Sequence, residues 1–456
     1  MTCELPNILL ITTHDLGTYL GCYGWDPVLR TPNLDRVARE GVRFENQFCT
    51  APYCSPSRGG IMTGKYPHKN GLMGLVNLGW DMPLGNELLP GLLGEGGYET
   101  FLFGFQHIAS DASGIGYDCV SERGNYGCDA VAPLAAQFLK KRSGSAKKPF
   151  YAKVGFSEVH RPYRVSRAPE VDEGTIRPLP FLEDTPGLRK DMAMFYGVIQ
   201  RMDRAVGHVL KALESSGFAE NTLVIFTTDH GFAFPRAKAT LYDPGIRTAL
   251  LMQWPGGIAE GQVADELISN VDLLPTLLEI TGVPVPPEVD GRSFWPLLQG
   301  EMYEPREAMF AEKNTSPNDI KRCVRMPRYK YIRNYNTGPR LELPTDIEVT
   351  ATRGDMGEEH LKPRPQVELY DFETDPWEKN NLAGQDDYGS IEEQMRRRLQ
   401  TVLEETNDPI LTGDISRPAG EAQRFEEVWS EEAMQGRQER ENSIIREYEE
   451  LKSDQS

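Results

Sequence analysis

Short apolar runs that stop on polar residues recur along this chain. Asn7-Ile8-Leu9-Leu10-Ile11-Thr12 halts at Thr13-His14-Asp15. Continuous apolar runs of this length, without alternation, describe strands buried on both faces. Residues 98–103 repeat the pattern and halt at Gly104-Phe105-Gln106-His107. Residues 150–156 halt at Ser157-Glu158-Val159-His160-Arg161-Pro162, and Leu223-Val224-Ile225-Phe226 at Thr227-Thr228-Asp229-His230-Gly231. Val42-Arg43-Phe44 and residues 248–254 have the same texture. Helical segments lie between them. Thr31 is placed to cap a helix with Pro32 in its first turn and Gly41 past its end. From Asp191 to Ser216, residues Phe195, Val198, Ile199, Met202, Val206, Val209, Leu210 and Leu213 form one apolar stripe, closed by Gly217. Residues 271–281 predict a further helix. Strands alternating with helices predict an α/β fold, a large mostly parallel sheet sandwiched by helices.

The texture changes near residue 306. Met309-Phe310-Ala311, Tyr329-Lys330-Tyr331-Ile332 and Glu368-Leu369-Tyr370-Asp371 read as short antiparallel strands, and Ser390 to Glu405 as a helix. The expected organisation is a catalytic α/β domain over 1–305, a C-terminal α+β subdomain over 306–419 and a charged helical tail over 420–456. A Pro- and Gly-rich excursion, Asn336 to Pro365, is either a substrate-contacting loop or disordered. Ile444, Ile445, Tyr448 and Leu451 keep partial helical spacing in the tail. A solvated helix is the favoured reading; a subunit-contact arm, and with it a homo-oligomer, is the alternative.

The polar residues at the strand ends carry the chemistry, because ligands of open α/β sheets bind at that edge. Four of the seven histidines, His14, His107, His160 and His230, fall there. His14-Asp15 and Asp229-His230 can bring two imidazoles and two carboxylates to one divalent cation. Cys54-Ser55-Pro56-Ser57-Arg58 places a thiol at or just before a helix N-terminus, with Pro56 tolerated in the first turn and Arg58 one turn on. Taken alone, the same stretch also describes a structural cysteine on a Pro-bearing turn.

A net charge of −19 argues against nucleic acid as a partner. No apolar run reaches the length of a membrane span. The chain enters its first strand directly, without a basic or apolar leader, so a cytoplasmic location is expected. Seven cysteines at irregular spacing (3, 22, 49, 54, 119, 128 and 323) form no disulfide or zinc pattern, consistent with a reducing compartment.

Cys54-x-Pro56-Ser57-Arg58, followed by Thr63-Gly64-Lys65-Tyr66-Pro67-His68 and Gly71, resembles the signature of the type I, formylglycine-dependent sulfatases of the alkaline-phosphatase-like superfamily. The resemblance implies that Cys54 is oxidised by a formylglycine-generating maturation enzyme, and that its hydrate attacks sulfur. It carries over Arg58, His107, His160 and Lys238 as catalytic residues. Asp15, Cys54, Asp229 and His230 carry over as metal ligands, usually to calcium. His14 stands where the family has an Asp; it either ligates the ion or hydrogen-bonds to the site. Imidazole would suit manganese or zinc better than calcium. Phe105 stands where the family has a Lys, and Lys65 and Arg161 are candidates to supply that cation to substrate. Phe232-Ala233-Phe234-Pro235, Leu241-Tyr242-Asp243-Pro244-Gly245, and Asp375-Pro376 with Asn381-Leu382-Ala383 look most like the heparan N-sulfatase (sulfamidase) branch. The implied substrate is a sulfated small molecule or oligosaccharide, carrying a sulfate ester or a sulfamate. Two other classes stay open: a phosphodiester or phosphonate monoester hydrolase on the same scaffold, and a sulfated-glycan binding protein with unmodified Cys54.

Overall fold

In a computed structural model, described for residues 5–453 except 84, 86, 122–123, 145–147, 167, 169 and 414, the chain builds two large sheets and a two-stranded parallel pair of Gln47–Phe48 with Ile268–Ser269. Cys3 lies outside the described residues. The first sheet has eight strands, β1 (Asn7–Thr13), β2 (Val42–Phe44), β3 (Glu99–Gly104), β4 (Cys119–Ser121), β5 (Phe150–Gly155), β6 (Thr222–Thr228), β7 (Leu250–Gln253) and β8 (Gln262–Ala264). Their order is β4-β3-β5-β1-β6-β7-β2-β8. β1 sits centrally between β5 and β6, with Ile11 opposite Val154 on one side and Phe226 on the other. Its seven residues are all buried, as the unbroken apolar run requires.

β7 runs antiparallel to both β6 and β2. Its C-terminal end therefore lies at the opposite edge from the polar strand ends, and it contributes nothing there. An apolar run reports burial but not direction, so residues 248–254 look like the other strands in sequence.

Successive residues of β1 serve two cores. Leu9 and Ile11 pack with helices α1 (Pro32–Arg39), α3 (Cys128–Arg142) and α4 (Pro186–Ser215). Ile8 and Leu10 pack with α2 (Cys54–Thr63) and α5 (Leu273–Thr281). The stripe from Phe195 to Leu213 on α4 is buried throughout. Thr31 precedes α1, but its hydroxyl does not cap it; Asp203 from α4 takes the Asn33 and Leu34 amides instead.

The second sheet is an antiparallel meander of β9 (Met309–Lys313), β10 (Lys321–Arg325), β11 (Tyr329–Asn334) and β12 (Val367–Asp371). Between its last two strands the excursion is ordered, and carries α6 (Thr345–Glu348) and α7 (Ala351–Asp355). Phe310, Val324, Tyr331 and Leu369 pack against Met395, Leu399 and Leu403 of α8 (Gly389–Glu405). Met309, Ala311, Cys323 and Ile332 face Phe48, Ala233 and Leu241 of the first unit.

The tail is helical, as α9 (Glu421–Val428) and α10 (Glu431–Ser453), but it is not a solvated arm. Glu421 accepts from the Trp80 indole at 2.6 Å, Glu441 is buried against Arg161 at 3.1 Å, and Tyr448 is buried in the first core. Its dense charge hides these anchors, because burial of a Glu depends on a partner distant in sequence. No helix among the described residues is long and apolar enough to cross a membrane. Cys22, Cys49, Cys54, Cys119, Cys128 and Cys323 are all free thiols.

Candidate active site

Two strand ends and one helix start meet at Cys54. Cys54 is the first residue of α2, whose N-cap is the extended Tyr53. His14 and Asp15 follow β1, and Asp229 and His230 follow β6, its parallel neighbour. Asp15 adopts a left-handed φ of 51°, which turns the chain sharply off the strand. Ligand atoms of His14, Asp15, Cys54, Asp229 and His230 all lie within 4.8 Å of one another, and all five residues are buried. Cys54 Sγ is 3.4 Å from His230 Nε2 and 3.8 Å from His14 Nδ1. His14 Nδ1 is 2.8 Å from Asp15 and 3.1 Å from Asp229.

Surrounding groups orient this cluster. His230 Nδ1 lies 2.9 Å from Gly231 O, so its N–H is directed there and the Nε2 lone pair faces the carboxylates. Asp229 Oδ1 accepts from the Asp15 and His230 amides, both at 2.9 Å. Its other oxygen takes Arg58 at 2.9 Å, and the same guanidinium donates to Thr13 O at 2.8 Å. Arg58 is therefore committed to a carboxylate of the cluster.

Burial lowers His14 to about 4 against the pull of Asp229 and Asp15, so its imidazole is neutral at pH 7. Burial would raise both carboxylates. For Asp15 it is outweighed first by Lys238, and for Asp229 by His230, His14 and Arg58, so both stay ionised. Burial, with Asp229 and Asp15, pushes the Cys54 thiol well above its ordinary value. As a thiol it is protonated and a poor nucleophile. A neutral His14 imidazole and the ionised carboxylates of Asp15 and Asp229 are ligand states a cation needs, so the donor set fits a divalent ion. Two imidazoles among them depart from the all-oxygen set that calcium prefers.

A cavity of about 420 Å³ opens above the cluster. His107, His160 and Lys238 join Cys54 and His14 on its wall. Lys238 Nζ bonds Asp15 at 2.6 Å and Asp346 at 2.7 Å, and lies 3.3 Å from His160 Nε2. Asp15 and Asp346 together hold the ammonium charged against burial. Asp346 belongs to α6 in the excursion and was not foreseen. No local pattern marks it, because its partner lies 108 residues away. His107 takes a left-handed φ of 59°, and its Nδ1 is buried without a hydrogen-bond partner. Burial holds its pKa well below 6.5.

The structure places Arg161 on the cavity wall but does not place Lys65 there. Arg161 donates to Ala233 O and is enclosed by Asp191 at 3.4 Å and Glu441 at 3.1 Å. Phe105 instead packs its ring 5.1 Å from the His14 ring and 5.2 Å from the Arg58 guanidinium carbon.

A buried thiol beside four groups that could hold a cation, with a lysine and an imidazole on the cavity wall above them, gathers at the carboxyl-end edge of the sheet. Sequence and structure comparisons identify the class. Residues 6–283 match the Sulfatase family model, and residues 229–349 match the C-terminal model of N-sulphoglucosamine sulphohydrolase. An ulvan-active sulfatase of Formosa agariphila is 31% identical over 91% of this chain and 83% of its own. Human N-sulphoglucosamine sulphohydrolase is 28% identical over 88% of this chain and 91% of its own. A structure solved with its substrate D-glucosamine-2-N,6-O-disulfate aligns with a TM-score of 0.71 at 21% identity, covering 89% of this chain and 99% of that one. A 2-O GAG sulfatase aligns at 0.70 and 24% identity, covering 91% and 95%. The chain belongs to the sulfatase family and is a sulfuric ester hydrolase.

Proposed function

We propose that the protein removes a sulfate ester or sulfamate from a sulfated amino-sugar oligosaccharide. The observation that carries this reading is the burial of Cys54 with His14, Asp15, Asp229 and His230 beneath a wall that holds Lys238 and His160. The match of residues 229–349 to the sulphoglucosamine model supports the amino sugar. A divalent ion would be held by His14, Asp15, Asp229 and His230, and with an aldehyde hydrate made from Cys54 by a maturation enzyme it would supply an oxygen nucleophile at the cavity floor. Asp229, ionised and fixed by two amides and Arg58, takes the proton from that oxygen. Lys238 offsets charge on the sulfonyl oxygens. His160 directs Nδ1 at Arg161 O and leaves Nε2 beside Lys238, where it protonates the departing alcohol or amine as the S–O or S–N bond breaks. His107, neutral and unpartnered at Nδ1, accepts the proton that frees sulfate.

Conversion of Cys54 lowers the intact mass by about 18 Da in protein from its native host. Cys54→Ser is expected to keep a sulfuryl group on the serine after incubation with substrate, and to stop turning over. A Ser variant at the wild-type rate overturns the scheme, and an unmodified thiol in native protein indicates binding without catalysis. The two imidazoles argue for manganese or zinc over the calcium the family implies. Chelation followed by reloading should restore more activity with manganese than with calcium. The same donor set favours the second reading, phosphodiester or phosphonate hydrolysis. Turnover of a bis-aryl phosphodiester faster than of glucosamine N- or 6-O-sulfate would select it.

A further inference from the structure

The loop that carries Lys238 is held in a conformation its residues do not favour. On either side of the lysine, Arg236 has a φ of 64° and Ala239 a φ of 70°. In that left-handed region a side chain's Cβ crowds the next carbonyl oxygen, so a residue other than glycine stays there only where its surroundings fix it. The catalytic unit fixes the loop on one side. The Lys238 amide donates to Phe232 O at 3.0 Å, and the Ala239 amide to Pro52 O at 3.1 Å, two residues before Cys54.

On the other side the loop is fixed by the Arg236 side chain. Its Nη2 donates to Glu378 O at 2.7 Å and to Trp377 O at 3.3 Å, and its guanidinium carbon lies 4.5 Å from the centre of the Tyr242 ring. Trp377 and Glu378 belong to the turn beyond β12, and Glu378 is itself left-handed, with a φ of 54°. The Glu378 carboxylate is buried. It accepts the Asp243 amide at 2.6 Å and meets Lys330 of β11 at 2.7 Å. Asp243 meets the same ammonium at 2.5 Å and Arg325 of β10 at 3.1 Å. Because Asp243 follows Tyr242 in the chain, the contacts close a circuit from Arg236 through Glu378 and Asp243 to Tyr242 and back. Arg236 is absent from the cavity wall, so it reaches the chemistry only through the loop.

We propose that Arg236 is a positioning residue for the reaction: it clamps the Lys238 loop to the turn at 377–378 and so aims the ammonium at its place between Asp15 and Asp346. The proposal rests on the reading of Lys238 as the group that faces the sulfonyl oxygens.

The test uses full-length, matured enzyme and glucosamine N- or 6-O-sulfate, whichever the wild type turns over faster. R236Q should lower kcat/KM about tenfold, the scale for a catalytic group moved by a fraction of an ångström. On a Lys238→Met background the same change should cost less than about twofold, because the group it aims is gone. A loss of equal size in both backgrounds overturns the proposal, as does R236Q at the wild-type rate. Hydrogen exchange gives a second readout that needs no turnover. The Lys238 and Ala239 amides should exchange about tenfold faster in R236Q, and unchanged exchange overturns the clamp. If Lys238→Met leaves turnover intact, or no sulfated sugar is cleaved, the reading of the site fails separately and the exchange measurement judges the clamp. Should R236Q not fold, R236K, which keeps the charge but loses the planar fork, carries the same cycle.

Discussion

Lys238 concentrates the logic of the site in one residue. Its ammonium separates two carboxylates, Asp15 of the metal-ligand cluster and Asp346 of the excursion, and stands beside His160. It balances the two carboxylates of the floor, and in the proposed scheme it would face the sulfonyl oxygens of a bound substrate. Lys238→Met should reduce kcat/KM for a sulfated sugar by about 100-fold or more, the scale for loss of one charge-stabilising donor. An unchanged kcat/KM would remove Lys238 from the reaction. Phe105 shows the opposite case, a residue that departs from the family pattern and finds a different use. Its ring covers the Arg58 guanidinium that neutralises Asp229.

Among the elements, the junction of α2 with the second sheet rests on a buried ionic cluster. His68, in the turn after α2, bonds Glu312 of β9 at 3.0 Å, while Arg322 of β10 grips Asp408, just past α8. Burial would raise Glu312, but His68 and then Arg322 hold it down to about 2 against an ordinary 4.5. Burial lowers His68, but Glu312 and Asp408 overcome it and raise it above 6.5. Glu312 binds fewer protons folded than unfolded between those limits. Its contribution is therefore complete above pH 4.5 and fades as pH falls toward 2, by about 3 kcal/mol in all. His68 has the opposite sign: its contribution is complete below pH 6.5 and is lost as pH rises through its raised value. Glu312→Gln should cost about 3–5 kcal/mol in urea unfolding at pH 5.5. The difference from wild type should shrink as pH falls below 4.5. A difference independent of pH would show that Glu312 is not ionised in the fold.

At the scale of the whole molecule, the tail is a strap across the catalytic edge. It closes the cavity with Trp429 and Arg437 and is fastened where Glu441 meets Arg161 and Asp191 (a residue of α4). Arg161 thus fastens the tail at the cavity wall. Arg161→Met leaves both carboxylates buried without their cation, a loss of about 3–5 kcal/mol. Trypsin should then cut α10 much faster than in the wild type, with the remaining sheets resistant. A tail as resistant as the wild type would refute the strap.

The strand ends, the helix start at Cys54 and the four strand-end histidines were legible in sequence because each is local. An apolar run, a first-turn proline and a polar stop need no distant partner to be recognised. Their convergence also followed from sequence, since parallel strands deliver their ends to one edge. The reversed β7, Asp346 beneath Lys238, the enclosure of Arg161 and the docking of the tail were not legible. Each depends on a contact between residues far apart in the chain, and a charged side chain reads as solvated until its partner is known. Local signs of apolar faces did exist in the tail, Phe425 and Val428 on α9 and Ile444, Ile445 and Tyr448 on α10. The sequence by itself determined the chemistry of the floor. Only the tertiary structure decided what walls the cavity, because that wall is assembled from the excursion, the tail and the loop after β5, whose meeting is settled by packing and long-range charge pairing.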